Sequence, residues 1–76
     1  MLRYTMATEE HEDLMLTYQE RNIIRLIADG VKTAGIAEEM GLKPETVKWY
    51  RKRILDKFQA ATSAEVVRKA IEMKLI

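Results

Sequence analysis

Seventy-six residues with a mass of 8.9 kDa provide one small domain and no room for a second core. With 47% hydrophobic and 33% charged residues, three Gly and one Pro, the composition suits a compact helical domain, not a disordered tail or a β-sandwich. The chain has no Cys and a single His, His11, which sits between Glu10 and Glu12; disulfides, zinc clusters and thiol nucleophiles are excluded, and the enzyme reading finds no support. No cofactor, metal or small-molecule site is expected. No apolar run approaches the roughly 18 residues of a membrane span and no signal-peptide pattern is visible, so the expected location is the cytoplasm, with no membrane partner.

The net charge of +1 conceals an uneven distribution. Residues 1–20 carry Arg3 against Glu9, Glu10, Glu12, Asp13 and Glu20, a local net charge of −4. Residues 43–57 carry Lys43, Lys48, Arg51, Lys52, Arg53 and Lys57 against Glu45 and Asp56, a net +4. Concentrated positive charge favours nucleic acid, because each neutralised phosphate releases condensed counterions; a solvated basic helix is the other reading of the same pattern.

Residues 1–15 show no sustained apolar period and read as an acidic linker or N-terminal extension. The domain proper is expected over residues 16–76. Thr17 and Glu20 form the T-x-x-E capping box that opens a first helix, whose stripe holds Ile23, Ile24 and Ile27 beside Leu26 and which ends near Asp29, ahead of Gly30. Thr33 is expected to cap a second, shorter helix with Ile36, Ala37 and Met40 on one side, and Gly41 stops it. Pro44 suits the first turn of a third helix, running to about Phe58. Thr62 and Glu65 repeat the capping-box spacing at the start of the fourth, which continues through Val66, Val67, Ala70, Ile71 and Met73. The fold class is therefore all-α: a four-helix, bundle-like domain in which helices two and three form a helix-turn-helix.

On the third helix, Val47, Tyr50, Ile54 and Phe58 share one face, with Leu55 at its edge, and that face must point into the core. The opposite face carries Glu45, Lys48, Trp49, Lys52, Arg53 and Asp56, which places the only Trp of the chain among bases on the solvent side. An exposed indole there can pack on a thymine methyl or a sugar while its neighbours reach bases and phosphates. Alternatively Trp49 folds back over the N-terminal arm or fills a dimer contact. Arg51, Arg53 and Lys57 are read as phosphate contacts; Arg51 lies near the buried side and reaches a phosphate only by extending its stem. On the fourth helix, Val66, Ala70 and Met73 at i, i+4 and i+7 are read as a dimer face beyond a core set of Val67, Ile71 and Leu75, the alternative being that core and arm absorb both faces.

Residues 16–76, about four-fifths of the chain, resemble the LuxR/FixJ-type (GerE-like) helix-turn-helix domain of bacterial transcription regulators. The likeness rests on Leu16-Thr17-Tyr18-Gln19-Glu20 for the family's Leu-Thr-x-Arg-Glu, and on Leu26 to Gly30 for its Leu-x-x-Gly with one spacer more. It continues with Ile36-Ala37, with Thr46-Val47-Lys48, and with Ile54-Leu55-Asp56-Lys57-Phe58 for Ile-x-x-Lys-Leu. The resemblance implies that the third helix enters the major groove with Lys48, Trp49 and Lys52 toward the bases. It further implies phosphate contacts from Lys32, Thr33 and Thr46, and a homodimer on DNA through the fourth helix. The sequence departs from the family pattern at Tyr50 for the usual His, Arg53 for Asn, Lys43 for a Ser or Thr cap and Gly35 for Glu. Lys43 cannot cap the third helix, and Gly35 is expected to weaken the second by about 0.5 to 1 kcal/mol relative to Ala.

The leading expectation is thus sequence-specific binding of double-stranded DNA by a bacterial transcription regulator, of the kind that serves as a response-regulator output domain. Two other readings share the helix order: a protein-interaction module anchored by Trp49 and the fourth helix, and a sigma-factor region-four-like module that docks on RNA polymerase as well as promoter DNA.

Overall fold

The computed structural model describes residues 16–76; the expected linker at residues 1–15 lies outside the described residues. Among them are four helices and no strand: α1 (Tyr18–Ala28), α2 (Thr33–Met40), α3 (Pro44–Phe58) and α4 (Ser63–Glu72). The all-α, four-helix expectation is met.

The helix starts differ in how they satisfy their first N–H groups. At α1 the capping box closes both ways: the Glu20 N–H donates to Thr17 Oγ1 at 3.1 Å, and the Thr17 N–H donates to Glu20 Oε1 at 2.9 Å. At α4 Thr62 Oγ1 accepts the Glu65 N–H at 3.2 Å, but the Glu65 carboxylate reaches one residue further back and accepts the Ala61 N–H at 2.9 Å. Thr33 is not the cap of α2. Lys32 holds that position with an extended backbone and no side-chain hydrogen bond, because the tight closure after α1 leaves a single residue between Val31 and the first helical turn. Lys43 likewise caps α3 through its backbone alone, with Pro44 in the first turn.

All four helices end in one way. The N–H groups of Val31, Leu42, Ala60 and Leu75 donate to the carbonyls of Leu26, Ala37, Leu55 and Ala70 at 2.8 to 3.0 Å, each preceded by a residue at positive φ whose N–H closes the inner turn. This is the Schellman arrangement, in which an apolar residue after the left-handed one turns back onto the core. Gly30 and Gly41 supply the left-handed residue for α1 and α2, as their sequence positions suggest. For α3 and α4 the residue is Gln59 (φ 50°) or Lys74 (φ 59°), which no glycine announces; the usable signal is the apolar residue that follows each.

The core consists of Leu16, Ile23, Ile24, Ile36, Ala37, Val47, Ile54, Phe58, Val66 and Ala70, with Leu26, Ile27, Met40, Leu42, Tyr50, Leu55 and Met73 packed around it. The expected apolar faces of α1, α2 and α3 are the buried ones. On α4 the expectation is reversed. Val66 and Ala70 are enclosed and Met73 packs against them, whereas Ile71 is 58% exposed and Val67 and Leu75 are half-buried. The stripe read as a dimer face is the core face, because α4 packs against both α1 and α3 and the small Ala70 allows the close approach.

Gly35 also differs from its expected role. A Cβ at this position would lie 2.8 Å from Val31 Cγ1, so the glycine lets the closure after α1 pack tightly on α2 instead of merely weakening the helix.

Candidate nucleic-acid interface

Residues 41–43 turn the chain between α2 and α3, and these two helices pack on each other as the two members of a helix-turn-helix. With Val47, Ile54 and Phe58 buried, helical geometry points Lys48, Trp49 and Lys52 outward, and all three are exposed. Trp49 retains 57% of its surface in contact with solvent and lines a shallow depression with Lys52, Arg53 and Asp56. The sequence-derived base-facing set therefore shares one open face.

The expected phosphate set divides. Lys32 is exposed at the start of α2, where Thr33 is half-buried, and half-buried Thr46 lies in the first turn of α3. Neither helix has a side-chain cap, which leaves leading N–H groups at both starts to find partners outside these caps. Arg51, Arg53 and Lys57 are not free surface cations. Arg51 Nη2 donates to Ser63 Oγ at 2.8 Å, tying α3 to the start of α4. Arg53 Nε and Lys57 Nζ donate to the two oxygens of Glu20 at 3.0 and 2.8 Å. Two of these ties form because the helix turns Arg53 and Lys57 toward α1, and all three commit part of the expected phosphate set to contacts within the fold.

Glu20, which the sequence identifies as part of a cap, also joins α1 to α3. Its side chain is fully buried, and three donors converge on it: the Thr17 N–H, Arg53 and Lys57. Burial pushes the carboxyl up, but the hydrogen bonds from Lys57 and Thr17, the Lys57 charge and the Arg53 bond outweigh it and hold the carboxyl below its ordinary range. The available sequence signal was position: Glu20 precedes Ile23, Ile24 and Ile27 at the spacing of one apolar stripe, and a carboxylate on a buried stripe requires cations.

Two further contacts frame the indole. The Tyr50 ring meets it edge-on with centroids 5.0 Å apart, and the Arg53 guanidinium lies 5.4 Å from the ring centre. The Tyr50 hydroxyl donates to Gln19 Oε1 on α1. A basic, aromatic-bearing helix is thus held from the side by the first turn of α1 and presents its outer face to solvent.

Residues 14–70 match the bacterial regulatory proteins of the luxR family. The chain belongs to that family. It is 32% identical to the tetrathionate response regulatory protein TtrR of Salmonella typhimurium over 95% of its own length and 37% of the relative's. It is 34% identical to the transcriptional regulatory protein FixJ of Azorhizobium caulinodans over 74% of this chain and 26% of that protein. To the transcriptional regulatory protein DesR of Bacillus subtilis it is 35% identical, over 87% of this chain and 36% of that one. The chain spans about a quarter to two-fifths of the length of these relatives. The luxR family is one of DNA-binding transcription regulators and not of enzymes. No helix among the described residues is long and apolar enough to cross a membrane.

Proposed function

We propose that this luxR-family domain binds double-stranded DNA sequence-specifically, with α3 in the major groove, as the DNA-binding part of a cytoplasmic bacterial transcription regulator. Lys48, Trp49 and Lys52 meet base edges, while Lys32, Thr33 and Thr46 meet phosphates at the starts of α2 and α3. The observation that carries this reading is the exposure of Lys48, Trp49 and Lys52 side by side on a helix whose other faces are occupied by core and by ion pairs. Two positive charges and one large aromatic on a single convex helix face suit the negative, methyl-bearing major groove.

The domain docks as a dimer on two half-sites through α4. The residues for that contact are Val67 and Ile71, since Val66, Ala70 and Met73 pack in or against the core. Relatives named as response regulators support the further reading that a signal-receiving part of a longer protein controls this domain.

The test is a titration of the chain with a mixed-sequence duplex at about 50 and about 200 mM salt, following the fluorescence of Trp49. Quenching that is strong at low salt and much weaker at high salt is expected. An indole that does not respond at either salt, together with no binding in an independent assay, overturns the reading. That result favours a protein-interaction module, whose anchors would be the exposed Trp49 and Ile71.

A further inference from the structure

An indole more than half exposed on a helix surface has several staggered rotamers open to it and exchanges among them in picoseconds to nanoseconds unless neighbours hold it. Trp49 has two such neighbours, and each is itself held. The Tyr50 ring edge lies against the indole and its hydroxyl is bonded to Gln19. The Arg53 guanidinium stands over the indole and its Nε is bonded to Glu20. Gln19 and Glu20 are consecutive residues in the first turn of α1, which the Thr17 capping box secures.

Lys57 and the Thr17 N–H both donate to Oε1 of Glu20, and Arg53 Nε meets the other oxygen, Oε2, of the same buried carboxylate. The bond that satisfies Oε2 also fixes a cation above the ring. Trp49, Tyr50 and Arg53 thus form one connected unit anchored on α1.

We propose that Gln19 and Glu20 are positioning residues that fix the orientation of Trp49 on the reading face, acting through Tyr50 and Arg53. The proposal deepens the reading of α3 as the DNA-facing helix: the indole meets a base step already oriented, so its ordering cost is paid within the free domain and the ring discriminates by shape. A freely turning indole would accept many base steps almost equally.

The experiment measures time-resolved anisotropy and acrylamide quenching of Trp49 in the DNA-free 76-residue chain, where the single Trp makes the signal unambiguous. Tyr50→Phe removes only the hydroxyl bond to Gln19, and Arg53→Gln removes the cation. Each is expected to increase the fast local depolarisation of the indole, and the double variant to raise the population of other rotamers about threefold, with helical circular dichroism unchanged. Arg53→Lys, which restores a cation, should recover part of the rigidity. Should Tyr50→Phe disturb the fold, Gln19→Ala on the exposed side of α1 reads the same link. Folded variants whose anisotropy decay and quenching equal those of the wild type overturn the proposal. The two readings fail separately: duplex binding by the wild type with an unchanged indole in the variants removes the positioning role alone, whereas a rigid indole that the variants loosen, in a chain that binds no duplex, supports positioning and removes the DNA reading.

Discussion

Glu20 and Arg53 are 33 residues apart in sequence and 3.0 Å apart in space, the carboxylate fully buried and the guanidinium half exposed on the edge of α3. With Lys57 at 2.8 Å, this pair fastens α1 to α3 at the level of the proposed DNA-facing residues. Removing the carboxylate leaves two cations without their shared partner, a situation that costs about 3 to 5 kcal/mol when the broken pair is buried. Glu20→Gln should therefore lower the urea midpoint substantially, with the full cost reduced by the exposure of Arg53. Its contribution also has a pH signature. The folded carboxyl titrates below its ordinary value, so the stability it supplies is complete above the ordinary carboxylate range and disappears as pH falls through the depressed folded value. The gap between wild type and Glu20→Gln should be widest near neutrality and close on acidification; a gap independent of pH would falsify the assignment.

Gly35 invites replacement by Ala on helix-propensity grounds, for an expected gain of about 0.5 to 1 kcal/mol. The structure reverses that sign. The new methyl would sit 2.8 Å from Val31 Cγ1, and Val has little rotamer freedom with which to yield. Gly35→Ala is expected to destabilise the domain, and adding Val31→Ala to recover part of the loss, giving a coupling energy of about 0.5 kcal/mol or more in a double-mutant cycle.

Gln59 occupies the left-handed position that closes α3, at φ 50°. A residue with a Cβ carries a penalty of about 1 to 2 kcal/mol there, partly offset by the greater unfolded freedom of glycine. Gln59→Gly should raise the thermal midpoint by an amount equivalent to about 0.5 to 1 kcal/mol. Gly41→Ala, at φ 67°, should lower it by a similar amount.

The two faces of α4 should separate under mutation. Val66→Ala empties space in the core and is expected to cost about 2 kcal/mol in monomer stability, measured by denaturant unfolding at low concentration. Ile71→Ala should change monomer stability by less than about 0.5 kcal/mol while weakening self-association in sedimentation, with and without duplex DNA. Equal sedimentation of Ile71→Ala and wild type under conditions where the wild type dimerises would move the contact off this face.

Lys48 and Lys52 should act together on DNA affinity. Replacing both by Ala is expected to weaken binding to every duplex and to flatten the dependence of log affinity on log salt, because two positive charges leave the DNA-facing surface. Unchanged affinity and slope would place the reading face elsewhere.

The order of the four helices, the glycine stops of α1 and α2, the capping box at Thr17 and the outward set Lys48, Trp49 and Lys52 are all properties of neighbours three or four residues apart. Local periodicity and turn chemistry therefore suffice to determine them from the sequence by itself. The orientation of α4 is different in kind. Its apolar residues cover two faces, Val66 with Ala70 and Met73, and Val67 with Ile71, and nothing within the helix ranks one above the other. Only packing against α1 and α3 selects the face that holds Ala70, because a close approach there excludes water from more surface. The same holds for the charges. An acid in a capping box and two bases on a distant helix are unremarkable separately, and the spacing of 33 and 37 residues between them carries no period. Their meeting around one buried carboxylate, and with it the role of Arg53 and Lys57 in fastening α3 to α1, is decided by the tertiary structure, since a buried charge is stable only where the fold brings its partners.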